Sequence, residues 1–140
     1  MSARQQRRTP KSVAVIFARG TGDAVPFLSA RLLAGKPLLH HTISAVRAAK
    51  HIAAVYVSTE DERVAAAARA AGVAVLMRPD ELSRHETPLH SAVDHAARSL
   101  RKLDPSVQVV VGVPGDAVFV EGSAIDAAVE ALADRAHDRV

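Results

Sequence analysis

Four short runs of apolar, largely β-branched residues divide the chain: Val13 to Phe17, Ala54 to Ser58, Val73 to Met77 and Val107 to Val113. Each is apolar nearly throughout, without polar positions at every second residue, which is the pattern of strands covered on both faces in a parallel sheet. The segments between them carry a helical period instead. Leu39, Ile43 and Val46 fall on one face of a helix predicted over Leu38 to Ala49, which Pro37 opens at a first-turn position. Thr59 and Glu62 have the spacing of a capping box for a helix from Glu60 to Ala71, and Gly72 supplies its stop. Thr87 followed by Pro88 starts a third helix running to about Lys102, and Ser123 caps a fourth that carries Ile125, Val129, Leu132 and Ala136.

Strand and helix in alternation, with short joins, predict right-handed βαβ units. The fold class is therefore α/β: a doubly wound, Rossmann-like three-layer sandwich on a mainly parallel sheet, in the strand order 3-2-1-4 with Val13 to Phe17 central. A chain of 140 residues is the size of one domain. Residues 12–140 are assigned to it, and residues 1–11 are read as a disordered basic leader. Arg4, Arg7, Arg8 and Lys11 lie before the first strand with no acid among them; setting them aside takes the net charge from +3 to −1 for the remainder. The basic character thus belongs to the leader.

Composition narrows the function classes. With no cysteine, disulfides, thiolate nucleophiles and cysteine-ligated zinc are excluded together. The aromatic residues are Phe17, Phe27, Tyr56 and Phe119, too few for a platform that stacks single-stranded nucleic acid, so neither DNA nor RNA is expected as a partner. No apolar run approaches the roughly 18 residues of a membrane span, and no signal-peptide pattern follows the basic leader. A cytoplasmic location with no membrane partner is the default expectation.

Ligands on such sheets bind beyond the carboxyl ends of the strands. Here those ends are the segments Ala18 to Asp23, Ser58 to Asp61, Arg78 to Glu86 and Pro114 to Val120. In the first, Arg19-Gly20-Thr21-Gly22 frees backbone N–H groups to face an anion, although an ordinary tight turn also accounts for two glycines. It is not the dinucleotide fingerprint, whose third glycine is Val25 here, and no Walker lysine follows. After the fourth strand, Gly115-Asp116 places a carboxylate where it could reach a divalent metal on phosphate oxygens, or simply cap its own turn. Lys36, Arg78 and Arg84 are candidate phosphate contacts. His85, His90 and His95 recur every five residues and so do not share a helix face as a zinc pair does. No nucleophile motif is present, and no catalytic residue is named.

Taken together, "VIFARGTGDAVPFLSARLLAGKPLL", "VYVSTEDERVAAAARAAGVAVLMRPDEL" and "VGVPGDAVFVEGSAID" resemble the N-terminal half of the acylneuraminate cytidylyltransferases and the 3-deoxy-manno-octulosonate cytidylyltransferases. The family opening has the form Ile-Pro-Ala-Arg-Gly-Gly-Ser-Lys-Gly-x-Pro-Arg-Lys-Asn, then Leu-Ala-Gly-Lys-Pro-Leu. Ala18, Arg19, Gly20, Pro26 and the run Leu33 to Leu38 match it without a gap. The last segment resembles the octulosonate branch's Val-x-Val-Gln-Gly-Asp-Glu-Pro-Phe. The resemblance covers about Val13 to Leu132.

It implies a nucleotide-diphospho-sugar transferase type of fold, CTP and an acidic sugar as partners, and Mg²⁺ as cofactor. It carries nucleotide binding to Ala18, Arg19, Gly20, Thr21, Gly22 and Lys36, and metal binding to Asp116. The departures fall where the chemistry should be. The family's triphosphate lysine aligns with Asp23, its Arg-Lys-Asn with Phe27, Leu28 and Ser29, and the glutamine that reads cytosine with Val113 or Pro114. The family's second half has no counterpart after Val140. The resulting expectation is a truncated, catalytically impaired cytidylyltransferase-like domain that assembles as a homo- or hetero-oligomer. A second reading, of a different class, is a non-catalytic α/β interaction module or partner subunit that binds no nucleotide.

Overall fold

The computed structural model describes residues 10–20, 28–84 and 87–138, the side chains of 136–138 excepted. The expectations for Thr21, Gly22, Asp23, Val25, Pro26, Phe27 and His85, for the leader before residue 10 and for the Ala136 side chain lie outside the described residues. The chain opens with β1 (Ser12–Phe17) and, after a single 3-10 turn (Leu28–Ala30), makes a small antiparallel hairpin of β2 (Leu32–Leu33) and β3 (Lys36–Pro37). There follow α1 (Leu38–Arg47), β4 (Ile52–Thr59), α2 (Glu62–Ala70) and β5 (Ala74–Met77). A second 3-10 turn (Asp80–Ser83) leads to α3 (Leu89–Leu103), β6 (Val109–Pro114) and α4 (Gly122–Asp138).

The main sheet has the order β5-β4-β1-β6, all neighbours parallel, so the expected order with the first strand internal holds. Val15 of β1 stands between Tyr56 of β4 and Gly112 of β6. Side chains alternate between the two faces. Ala14, Ile16, Val57 and Val113 pack with Leu39, Ile43 and Val46 of α1, Val64 and Ala68 of α2, and Ile125 of α4. The opposite face is thinner: Val13, Val15 and Leu76 meet only Ala96 and Leu100 of α3 among the buried helix residues.

Packing, not propensity, explains α1. Its sequence LLHHTISAVR contains β-branched Thr42, Ile43 and Val46, which are indifferent helix formers. Leu39, Ile43 and Val46 are nevertheless within 1% of full burial. At roughly 1.5–3 kcal/mol for each buried apolar side chain, they outweigh the propensity deficit of a few tenths per residue.

Four local expectations are corrected. Pro37, expected in the first turn of α1, precedes the helix as the last residue of β3. Ala34 (φ 52°) and Gly35 (φ 81°) form the two-residue turn of the β2–β3 hairpin, and α1 begins at Leu38, as expected. Positive φ at both central positions is what a hairpin turn of matching twist requires. The cap of α2 is Asp61, not Thr59: the Asp61 carboxylate accepts from the N–H groups of Arg63 (2.8 Å) and Val64 (3.1 Å). Thr59 is still inside β4, and its hydroxyl accepts from Asp61 N–H. Ser123 lies within the first turn of α4, which begins at Gly122. The last strand is shifted to Val109–Pro114 because the preceding residues make the turn out of α3. Among the described residues, no helix is long and apolar enough to cross a membrane.

Candidate active site

The ladders of the sheet continue one peptide past the strands at their carboxyl ends. Ala18 N–H donates to Ser58 C=O (3.0 Å), Arg78 N–H to Thr59 C=O (3.0 Å) and Gly115 N–H to Phe17 C=O (2.9 Å). The Thr42 hydroxyl of α1, fully buried, donates to Gly115 C=O at 2.8 Å. These bonds fix where the chain leaves β1, β5 and β6, so the side chains that follow are carried on rigid backbone.

A cavity of about 930 Å³ opens there, on the α3 side of the sheet. Its cationic wall is Arg19, Arg78 and Arg84, and Asp116 is its carboxylate. Phe17, Leu28, Leu82, Leu89 and Val93 make much of the remainder, with Ser29 and Thr87 contributing hydroxyls. The volume is within the range of small-molecule sites.

Arg78 is the most constrained of the cations. It is 5% exposed; its Nε donates to Ser83 Oγ (2.8 Å) and its Nη1 lies 3.3 Å from Ser58 Oγ. Burial lowers its pKa from the ordinary arginine value, Glu60 opposes that, and Arg19 adds to it. Glu60 itself joins two loops: one carboxylate oxygen accepts the N–H of Gly20, and the other is buried without a hydrogen-bond partner among the described residues. His95 of α3 also has a buried, unpartnered Nδ1, and its pKa is lowered by burial, then by Arg98 and Arg78.

Of the residues expected at the site, Ala18, Arg19 and Asp116 line the cavity. Gly20 is not in its lining and is packed so closely on the N-cap of α2 that an added Cβ would lie 2.4 Å from the Asp61 Cβ. Lys36 does not come to the cavity; it is exposed on the β2–β3 hairpin. Phe17 and Glu60 were not singled out by the sequence reading. The available signal for both was position, the last residue of one buried strand and the first after another.

Among the described residues, no three His, Asp or Glu side chains are placed to share a metal ion. A Mg²⁺ that arrives with a triphosphate needs only one or two carboxylates, the rest of its shell being phosphate oxygens and water. Asp116, exposed at the cavity wall, fits that requirement.

A parallel α/β sheet with a cavity beyond the carboxyl ends of its strands is the arrangement in which open α/β folds hold their ligands. The chain belongs to the cytidylyltransferase family, whose model matches residues 13–140. It is 38% identical over 123 residues to the 3-deoxy-manno-octulosonate cytidylyltransferase of Anaeromyxobacter sp. (strain Fw109-5), covering 87% of this chain and 47% of that protein. The corresponding protein of Bdellovibrio bacteriovorus is 31% identical over 124 residues, covering 89% and 47%. Among solved structures, a CMP:2-keto-3-deoxy-manno-octonic acid synthetase complexed with CTP has a similar fold. The TM-score is 0.74 at 23% identity, over 89% of this chain and 48% of that one. The chain spans about half the length of these relatives.

Proposed function

We propose that the cavity binds CTP, and that this chain transfers CMP to an acidic sugar far more slowly than a family member that carries the full set of phosphate-binding cations. The observation that carries the reading is the placing of Arg19, Arg78 and Arg84 around one cavity at the carboxyl ends of the strands. Three guanidinium groups suit a triphosphate and would be a costly way to line an apolar site. In this reading Asp116 would hold Mg²⁺, which when bound neutralises charge on the phosphates.

Nucleotidyl transfer needs more than binding. A sugar hydroxyl attacks the α-phosphorus, pyrophosphate leaves, and the charge on the leaving group has to be met by cations fixed beforehand. The segment that supplies them in the family pattern here reads Asp23, Phe27 and Leu28. Loss of one such contact commonly costs about 3–4 kcal/mol, a hundred- to thousandfold in rate. Asp23 replaces a cation with an anion, so its effect is a repulsion as well as a loss. Such losses are not additive, yet even partial accumulation leaves turnover orders of magnitude down.

Two measurements on the same preparation test both halves. Calorimetric titration with CTP and Mg²⁺ should give saturable binding; no heat and no thermal shift would sink the nucleotide reading. Pyrophosphate release with 3-deoxy-manno-octulosonic or sialic acid should be slow and should rise at least about tenfold in the Asp23→Lys, Leu28→Lys double variant. Rapid turnover by the unaltered chain, abolished by Asp116→Ala, would overturn the slow-transfer half alone.

A further inference from the structure

Two departures from the family pattern that are remote in sequence are neighbours in the sheet. Phe17 and Pro114 are register partners on β1 and β6. The motifs above have proline at the first position, where Phe17 follows Ile16 and precedes Ala18-Arg19. At the second, both Val113 and Pro114 line the cavity, but Val113 is 3% exposed and packs into the core with α1 and α4, whereas Pro114 is exposed. The motif's Val-x-Val-Gln-Gly-Asp falls without a gap on Val111 to Asp116, which puts Pro114 in the place of the base-reading glutamine. An amide has gone from the cavity wall, and an aromatic ring has appeared beside the vacated position.

The ring is seated by its other neighbour. Gly112 is exposed on β6, and a Cβ built on it would lie 3.2 Å from Phe17 Cε2 and 3.8 Å from Cδ2. One edge of the phenyl group therefore lies close over bare backbone, where an added side chain would make it shift. The same cavity is lined by apolar Leu82, Leu89 and Val93, and Leu89 keeps 68% of its surface exposed. Phe17 is the only aromatic residue among the described lining, which contains no asparagine or glutamine.

We propose that Phe17, laid over Gly112 beside Pro114, is the platform on which the base of a bound nucleoside triphosphate stacks, and that the site consequently selects the base weakly. The inference rests on the cavity's being a nucleotide site, with the arginines meeting the phosphates. Stacking is tolerant because every base has a π face. Strong discrimination requires buried donors and acceptors that a wrong base leaves unpaired. Beside Phe17, proline offers no such group from its side chain.

The test is calorimetric titration of the whole chain with CTP, UTP, ATP and inorganic tripolyphosphate, each with Mg²⁺. The three nucleotides should bind within about tenfold of one another and more tightly than tripolyphosphate. Phe17→Leu, which keeps apolar bulk without the ring, should weaken all three by about 5- to 100-fold and leave tripolyphosphate unchanged. Pro114→Gln, which does not disturb the ring, should create a preference for CTP of about tenfold. CTP favoured a hundredfold by the unaltered chain, nucleotides no tighter than tripolyphosphate, or equal losses for all four ligands in Phe17→Leu would each overturn the proposal. Binding of tripolyphosphate alone would remove the platform and leave an anion site. Binding of none would remove the nucleotide reading with it.

Discussion

A guanidinium with 5% of its surface exposed carries a desolvation cost that two neutral hydroxyls do not repay. Arg78 has five N–H donors, two of them engaged by Ser83 and Ser58, and among the described residues it makes no ion pair. Glu60 pulls its pKa upward, yet burial is the larger influence and the net direction is down. A fold selected for stability alone would have an apolar side chain there. The Arg78→Met variant separates the two roles, since methionine keeps the bulk and drops the charge. Its melting temperature should match or exceed that of the unaltered chain, because removing the buried charge offsets the two lost hydrogen bonds. Its affinity for CTP should fall by about 10- to 100-fold, the worth of a charge-assisted hydrogen bond. A clear drop in melting temperature with unchanged affinity would make Arg78 a structural residue.

Between elements, the tightest joint is the end of β1 against the start of α2. Asp61 cannot retreat from Gly20 without giving up the N–H groups of Arg63 and Val64 that it caps. A Cβ at position 20 would sit 2.4 Å from the Asp61 Cβ and 2.6 Å from its carboxyl carbon. Gly20→Ala should therefore cost about 1–3 kcal/mol, read as a lower midpoint in urea unfolding, with the Arg63 and Val64 amides losing hydrogen-exchange protection first. An unchanged midpoint would mean that α2 shifts freely. The elements themselves were legible where burial forces a continuous apolar run, as in Val13 to Phe17 and Ala54 to Ser58. They were less so where a residue has two uses. Thr59 followed by Glu62 spells a capping box, but the strand holds Thr59 in the sheet and passes the cap to Asp61. Ala34 at φ 52° contradicts its own preference, and the hairpin that imposes it is invisible to propensity. The site was legible as a set of strand ends; which side chains converge was not. Phe17, Arg78 and Leu89 come from three different segments, and their convergence depends on the handedness of the β5–α3–β6 crossover.

At the scale of the whole molecule, one ion pair ties the first described residues to the junction of α3 and β6. Lys11 Nζ reaches Asp104 Oδ2 at 2.5 Å, and Ser106 donates to the same carboxylate from both hydroxyl and N–H. The Lys11 and Ser106 hydrogen bonds lower the Asp104 pKa to about 2. A carboxylate depressed in the folded state adds stability that is complete above its unfolded pKa, near 3.9, and is lost as pH falls through about 2. Asp104→Asn should therefore melt below the unaltered chain at pH 7, and the gap should close as the pH is brought from 4 to 2. A gap that persisted at pH 2 would point to shape and not to charge.

The uneven dressing of the sheet, three helices on one face and α3 alone on the other, has a consequence for how occupancy is felt. A molecule seated in the cavity becomes part of the thinner layer, shielding Leu89, Val93 and Phe17 from water as a further helix would. Its chemical potential then acts on the fold directly. At a free concentration a hundredfold above its dissociation constant, a ligand with no affinity for the unfolded chain adds about 2.7 kcal/mol to the unfolding free energy. For a domain of marginal stability that is a sizeable share, so the amount of folded protein in a cell would follow the supply of the ligand.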